Sequence, residues 1–389
     1  MRKRGGIALS LAVLASAALA SSAGAGSSAT AASAVSCKGT FKIALMTPLT
    51  GDAGFLGQEQ LSWSKLAVKR LAPALGLKVQ LLQGDTQLDT ALASSLAQKY
   101  VADRSVVAVI GPATSGAVAA TSKTFFDAKM AHISPSATRV SLTKGNNKEG
   151  TPAFFRVVPD DSVQGPTVAR FMVDKLKAKK VVLIDAREPY SVGLANAAEA
   201  VLKARGVTTI RESVSVEQSD FSSIVTKIPG DTDVVFTPWQ QPPKVQTFAQ
   251  QLIEQGKRAK VFGGDGANDP DKFKVAGSFV SNFAPPLDQV VGNAALIAAW
   301  KADNPGQTLG SFGPPAYGAV QVALEAIKKA CAKKSTVVRA DVLKQVKSVR
   351  VARWLLGGSF RFSTKTNDPL NKGFTIFEIQ SNGSYKVVS

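Results

Sequence analysis

Histidine is all but missing from this chain: His132 is the single one in 389 residues. Cysteine occurs twice, as Cys37 and Cys331, and tyrosine, tryptophan and methionine four times each. These shortages exclude most metal chemistry, because zinc sites need His and Cys clustered at ligand spacing. A Ser/His/Asp hydrolase would have only His132 as its base, on a strand of apolar character, and no Gly-x-Ser-x-Gly elbow precedes a helix. The run Gly111-Pro112-Ala113-Thr114-Ser115-Gly116 lacks the Gly-Lys-Ser/Thr that completes a phosphate loop. The first strand-to-helix turn lacks the glycines of a dinucleotide fingerprint. No metal, cofactor or catalytic residue is therefore expected. An exported hydrolase remains only as a competing reading.

Acidic residues are outnumbered by Lys and Arg, 28 to 47, for a formal net charge of +19. Nucleic acid is not the partner this implies, because the lysines stand in short solvated groups such as Lys177, Lys179 and Lys180, without interleaved aromatics for base stacking. A membrane-spanning run is also lacking. About 20 apolar residues are needed to cross a bilayer, and the stretch 7–20 covers 14 before Ser21 and Ser22 break it. Preceded by Arg2, Lys3 and Arg4 and followed by a tract of Ser, Ala and Gly, it reads as a secretory signal peptide, cleaved after Ala20 or a few residues later. The mature chain is then an exported one of the periplasm or outer face of the cytoplasmic membrane, with weak electrostatic steering toward the envelope.

Two cysteines in an oxidising compartment make a Cys37–Cys331 disulfide a candidate. Lipidation of Cys37, behind Ala34-Val35-Ser36, is the alternative that would anchor the chain to the membrane, and two unrelated thiols are the third reading.

Some 350 mature residues exceed one hydrophobic core, so two domains are expected. From Phe41 onward, short β-branched runs alternate with stretches of helical period, as in a parallel sheet with crossover helices. Strands are expected at 41–46, 78–82, 106–110, 131–134, 154–158, 180–184, 208–213, 233–236, 260–263 and 278–283. Helices are expected at 58–71, 90–102, 164–176, 192–205 and 244–255. Three more helices follow at 290–301, 316–333 and 339–347. Phe360-Arg361-Phe362 is expected to pair with 374–379, and Asn382-Gly383 to turn the last strand back. The fold class is α/β, with two doubly wound parallel-sheet lobes. Leader and linker take 1–36, the first lobe 37–158 plus 285–359, and the second 159–284 plus 360–389. Pro/Gly punctuation at Val158-Pro159-Asp160 and Ala284-Pro285-Pro286 marks hinge crossings.

Ligands of doubly wound sheets bind outside the carboxyl ends of strands. Three first-lobe strands run into hydroxyl-rich turns: Thr47-Pro48-Leu49-Thr50-Gly51, Gly111 to Gly116, and Ser134-Pro135-Ser136-Ala137-Thr138. Backbone N–H groups, hydroxyls and a helix dipole at such turns suit an anion; each turn alone is more often an ordinary helix cap, and it is three in one lobe that bring a site level with that reading. The second half offers Tyr190, Trp239 and Asp265 past its strand ends. An aromatic there can simply roof the core, and an acid between glycines can simply make a turn.

The ordered set Pro48-Leu49-Thr50-Gly51 with Gly57, Val109-Ile110-Gly111-Pro112, Ser134 to Thr138, Arg156 through Asp161 to Gln164-Gly165, Tyr190-Ser191-Val192-Gly193 and Asp220-Phe221-Ser222 resembles the leucine/isoleucine/valine-binding proteins of bacterial ATP-driven importers. The resemblance runs from Ile43 to the C-terminus. It implies the type I periplasmic-binding fold with a multi-crossing hinge, and capture of a branched-chain or related amino acid for an ABC transporter permease by a monomer. A sensory module working with a membrane receptor is the alternative of another class. By resemblance, Ser115 meets the ligand carboxylate and Thr138 donates hydroxyl and N–H to it. The Ser136 carbonyl accepts from the ammonium, and Tyr190 comes from the second lobe. Asp265 stands where the family has glutamate, Trp239 near a family tyrosine, and Phe55-Leu56 where an aromatic precedes the glycine.

Overall fold

The computed structural model describes residues 37–283, 285–370 and 373–389. The expected signal peptide lies outside the described residues. The first half builds β1 (Thr40–Thr47), α1 (Gly54–Ala74), β2 (Lys78–Asp85), α2 (Thr90–Ala102), β3 (Val106–Ile110), α3 (Ser115–Asp127), β4 (Ala131–Ser134) and β5 (Phe154–Arg156). Its five strands form an all-parallel sheet ordered β2-β1-β3-β4-β5. Every residue of β3 is buried, as a strand covered on both faces requires, whereas edge strand β2 is mostly half-exposed.

Residues 157–160 cross to α4 (Asp161–Asp174), β6 (Lys180–Asp185), α5 (Pro189–Ala204), β7 (Thr208–Ser213), α6 (Ser222–Lys227), β8 (Val234–Thr237), α7 (Pro242–Glu254), β9 (Lys260–Gly263) and β10 (Phe279–Asn282). The chain then returns through α8 (Ala294–Asp303), α9 (Gly313–Cys331), α10 (Arg339–Val346), β11 (Arg350–Val351) and β12 (Phe360–Arg361). Finally β13 (Thr375–Ile379) and β14 (Tyr385–Val387) add an antiparallel edge to the second sheet, ordered β14-β13-β10-β9-β8-β6-β7.

The period-two alternation of the strands divides the cores. Ile43 and Leu45 of β1 face α1 and α9, with Trp63, Val320 and Ile327, while Ala44 and Met46 face Ala97 and Phe125 of α2 and α3. In the second sheet Val182 and Ile184 pack with Phe248, and Val181 and Leu183 with Leu194. Two α/β/α sandwiches result, so each sheet has its carboxyl ends free to carry a site.

One expectation is corrected. Phe360-Arg361-Phe362 does not pair with 374–379: β12 pairs with β11, and β13 lies between β10 and β14. Phe360 stacks on Trp354 with ring centroids 4.2 Å apart, and Phe360 and Phe362 join the first lobe's core. Burying three rings against that lobe outweighs strand alternation over so short a segment. The turn at Asn382-Gly383 forms as read, with Gly383 at φ +79°.

The structure pairs Cys37 with Cys331, their Cα atoms 5.2 Å apart and their positions separated by 294 in sequence. Alkylation without reductant, followed by mass spectrometry, is expected to find neither thiol free. Reduction is expected to lower the unfolding free energy, with about 5 kcal/mol as the chain-entropy ceiling.

Candidate functional site

The turns after β3 and β4 are stitched together. Gly111, at φ +110°, passes so close to the Met46 carbonyl that a Cβ would collide with it, and Ala113 N–H donates to that same carbonyl at 3.0 Å. The Ser134 hydroxyl donates to the Pro112 carbonyl (2.7 Å) and accepts from Ala137 N–H (3.0 Å). The Ser136 hydroxyl donates to the Ala113 carbonyl (2.7 Å) and accepts from Gln60 Nε2 (2.9 Å). Its side chain is thus committed to the scaffold, leaving its main chain for other work. Ser115 opens α3, and its hydroxyl accepts from Arg139 N–H at 3.2 Å. Thr138 is fully buried, and its hydroxyl faces the carboxyl of Asp161.

The second lobe contributes a carboxylate held from behind. Tyr190 Oη and Gln164 Nε2 each donate to Asp265 Oδ1 at 2.6 Å, and Gln164 also donates to Ser281 Oγ at 2.9 Å. Gly264 is required here, because any side chain would strike the Tyr190 hydroxyl. Burial raises the Asp265 pKa to about 6, against the lowering effect of those two hydrogen bonds.

Asp161, quoted above only within a motif, proves to be part of the same cluster. It is fully buried at the first turn of α4, its carboxyl faces the Thr138 hydroxyl, and its N–H donates to the Thr138 carbonyl at 2.9 Å. Burial, and then the charge of Asp265, hold its pKa well above the usual carboxylate range. The legible clue was an acid opening a helix directly after a Pro-marked crossing. Glu188 was also missed: it caps α5 through Ser191 N–H (2.9 Å) and Tyr190 N–H (3.0 Å), and burial lifts its pKa to about 7.

Two other expected residues turn away. Trp239 fills the second lobe's core, packed on Phe221 (5.0 Å) and Phe248 (5.5 Å), with its indole N–H donating to the Ile184 carbonyl at 2.7 Å. A bulky ring with its one donor satisfied is worth more inside than as a cleft wall. Leu56 is likewise a core residue of the first lobe, while Phe55 stays half-buried, edge-on to Phe312 at 5.6 Å. His132 is structural: it packs between Phe125 and Phe154, and burial lowers its pKa to about 3, so it is neutral.

The lobes meet around this cluster. Gly116 lies against Pro189, Gly193 against Arg139, and at the rim Lys244 pairs with Asp52 at 3.5 Å. A cavity of about 510 Å³ opens between the lobes there, lined by Asp52, Gln87 and Thr90 on one side and Val216 and Gln241 on the other. At the crossings, all five N–H groups of the fully buried Arg156 are used. They donate to Asp368 (2.7 Å), Asp160 (3.3 Å), Thr143 Oγ1 (2.5 Å) and the carbonyls of Ala137 (3.1 Å) and Arg139 (2.9 Å).

A family model described as periplasmic binding protein matches residues 40–384. The chain belongs to that family. Periplasmic binding proteins bind solutes and are not enzymes, and the type I fold expected from the motifs is the one observed. The chain is 27% identical over 350 residues to a leucine-, isoleucine-, valine-, threonine-, and alanine-binding protein of Pseudomonas aeruginosa, covering 87% of this chain and 90% of that one. It is 28% identical over 320 residues to the Leu/Ile/Val-binding protein BraC3 of Rhizobium johnstonii, covering 80% and 85%. Among solved structures, the leucine binding protein LivK of Thermotoga maritima superposes with a TM-score of 0.80 at 22% identity, over 90% of this chain and 98% of that one. The branched-chain amino acid transporter substrate binding protein LivJ of Streptococcus pneumoniae, in complex with isoleucine, gives 0.77 at 24% identity, over 90% and 99%. Among the described residues, no helix of this binding protein is long and apolar enough to cross a membrane.

Proposed function

We propose that the chain is an exported, monomeric binding protein that captures an α-amino acid between its lobes and hands it to the permease of an ABC importer. The observation that carries this reading is the two-ended chemistry of the buried cluster. The first lobe offers the α3 N-terminus with the hydroxyls of Ser115 and Thr138, the second the carboxylate of Asp265, and Asp161 lies between them, bonded to Thr138. A zwitterion meets both ends, and each ligand charge must find a partner, since burying an unpaired charge costs several kcal/mol. Ser115 and Thr138 take the carboxylate, while the Ser136 carbonyl, Asp161 and Asp265 take the ammonium. Tyr190 positions Asp265. The amino-acid ligands named for the Pseudomonas and Rhizobium relatives support the same class.

Capture proceeds by hinge closure. The first lobe holds the ligand at its two hydroxyl turns, and rotation about the crossings brings Tyr190 and Asp265 over it. Scattering of the purified mature chain is expected to show compaction at saturating amino acid, and an unchanged radius of gyration would argue against the motion. In a thermal-shift screen of amino acids, amides and small carboxylates, a true ligand at 100 times its Kd adds about 2.7 kcal/mol of stability. A screen in which carboxylates without an amino group stabilise as well as amino acids would remove the zwitterion reading.

A further inference from the structure

Gln60 lies on the inner face of α1, fully buried, at the carboxyl end of the first sheet. Its orientation is set by its neighbour. Ser136 Oγ spends its proton on the Ala113 carbonyl, so it can only accept from Gln60, which fixes Nε2 as the donating atom. The amide oxygen is left buried with no hydrogen-bond partner. Two more buried hydroxyls without partners stand on the adjoining segments: Thr47 Oγ1 at the end of β1, and Ser64 Oγ one turn further along α1. The apolar side chains expected at this end, Leu56 and Trp239, have meanwhile gone into the two cores.

We propose that Gln60 selects the ligand's side chain, favouring an amino acid whose side chain carries a hydrogen-bond donor over an aliphatic one. The inference rests on the amino-acid reading above and specifies its substrate class. A donor on the ligand satisfies the Gln60 oxygen. An aliphatic side chain leaves that oxygen buried and unpaired, and sites built around a hydrogen bond reject analogues that lack it far more strongly than apolar pockets reject a missing methylene.

The test is a calorimetric panel of threonine, asparagine and glutamine against leucine, isoleucine and valine, run on the wild type and on Gln60→Met, which keeps the length and loses the acceptor. At least one donor-bearing amino acid is expected to bind the wild type ten times more tightly than any aliphatic one, and Gln60→Met is expected to erase that margin. A wild type that binds leucine, isoleucine or valine as tightly as the donor-bearing set overturns the inference, as does a Gln60→Met protein that keeps the wild-type ranking. If the variant fails to fold for want of its Ser136 contact, the wild-type ranking decides alone. A protein that binds none of the common amino acids fails the amino-acid reading itself, which is a distinguishable result.

Discussion

Asp265→Ala is expected to weaken amino-acid binding by more than tenfold, or at least about 1.4 kcal/mol. The substitution removes the countercharge of the ligand ammonium and leaves two buried donors, Tyr190 Oη and Gln164 Nε2, without their shared acceptor. Asp265→Asn separates the two effects, since it keeps an oxygen for those donors and discards the charge. Titration calorimetry on both variants reads the loss, and unchanged affinity for the native ligand would remove the amino-acid assignment. The pH dependence has a definite sign. With its pKa raised to about 6, Asp265 is ionised only above that value, so affinity is expected to fall as pH drops through it. Stability of the unliganded protein moves the other way. A carboxyl whose folded pKa lies above its unfolded one binds more protons when folded, so acidification from about pH 6 toward 4 stabilises the native state through this group.

Arg156→Met is expected to cost about 3–5 kcal/mol of folding stability, because breaking a buried ion pair strands the partner charge. Here it takes the buried guanidinium from two carboxylates, Asp160 and Asp368, leaving them only the half-buried Lys144 as a cation, and it also removes the donors of Thr143 Oγ1 and two backbone carbonyls. Urea denaturation reads the change as a lower midpoint at unchanged slope. Burial alone would raise the Asp368 pKa, but the Arg156 guanidinium, together with the Thr143 and Thr366 hydroxyls, outweighs it and holds the carboxyl below its usual range. The wild type thus carries a contribution that is present above the ordinary aspartate pKa and lost as pH falls through the depressed one. In the variant the Arg156 part of that acid-labile share is expected to vanish. A midpoint within about 0.5 kcal/mol of the wild type would make the cluster energetically idle.

The sheets were legible because their strands are short, β-branched and buried on both faces, a pattern that survives without knowledge of neighbours. The turns at Ser115, Ser136 and Thr138 and the partners Tyr190 and Asp265 were legible as polar residues past strand ends. The direction of a large apolar side chain was not. Trp239 follows a strand just as a cleft aromatic would, and only the rings of Phe221 and Phe248 beneath it decide that it points inward. Leu56 fails for the same reason, since one residue of helix phase separates the core from the cleft. Asp161 and Gln60 were overlooked because their meaning lies in which partners burial gives or denies them, which is a property of three-dimensional packing. Phe360 and Phe362 read as strand by alternation, although Trp354, the ring that recruits Phe360, is only a few residues away.

Arg156 fastens two crossings, at Asp160 and Asp368, to the first lobe, and the next residue after the first of them is Asp161. Under the proposed closure, Asp161 therefore sits almost on the axis of rotation, with its N–H still tied to Thr138. A group at the axis has almost no lever arm, whereas the Asp52–Lys244 contact at the rim has a long one. A fraction of an ångström gained between a ligand ammonium and Asp161 is then geared up to a displacement many times larger where the lobes meet solvent. On the proposed closure, the group that meets the ligand ammonium and the fulcrum of the motion are neighbouring residues.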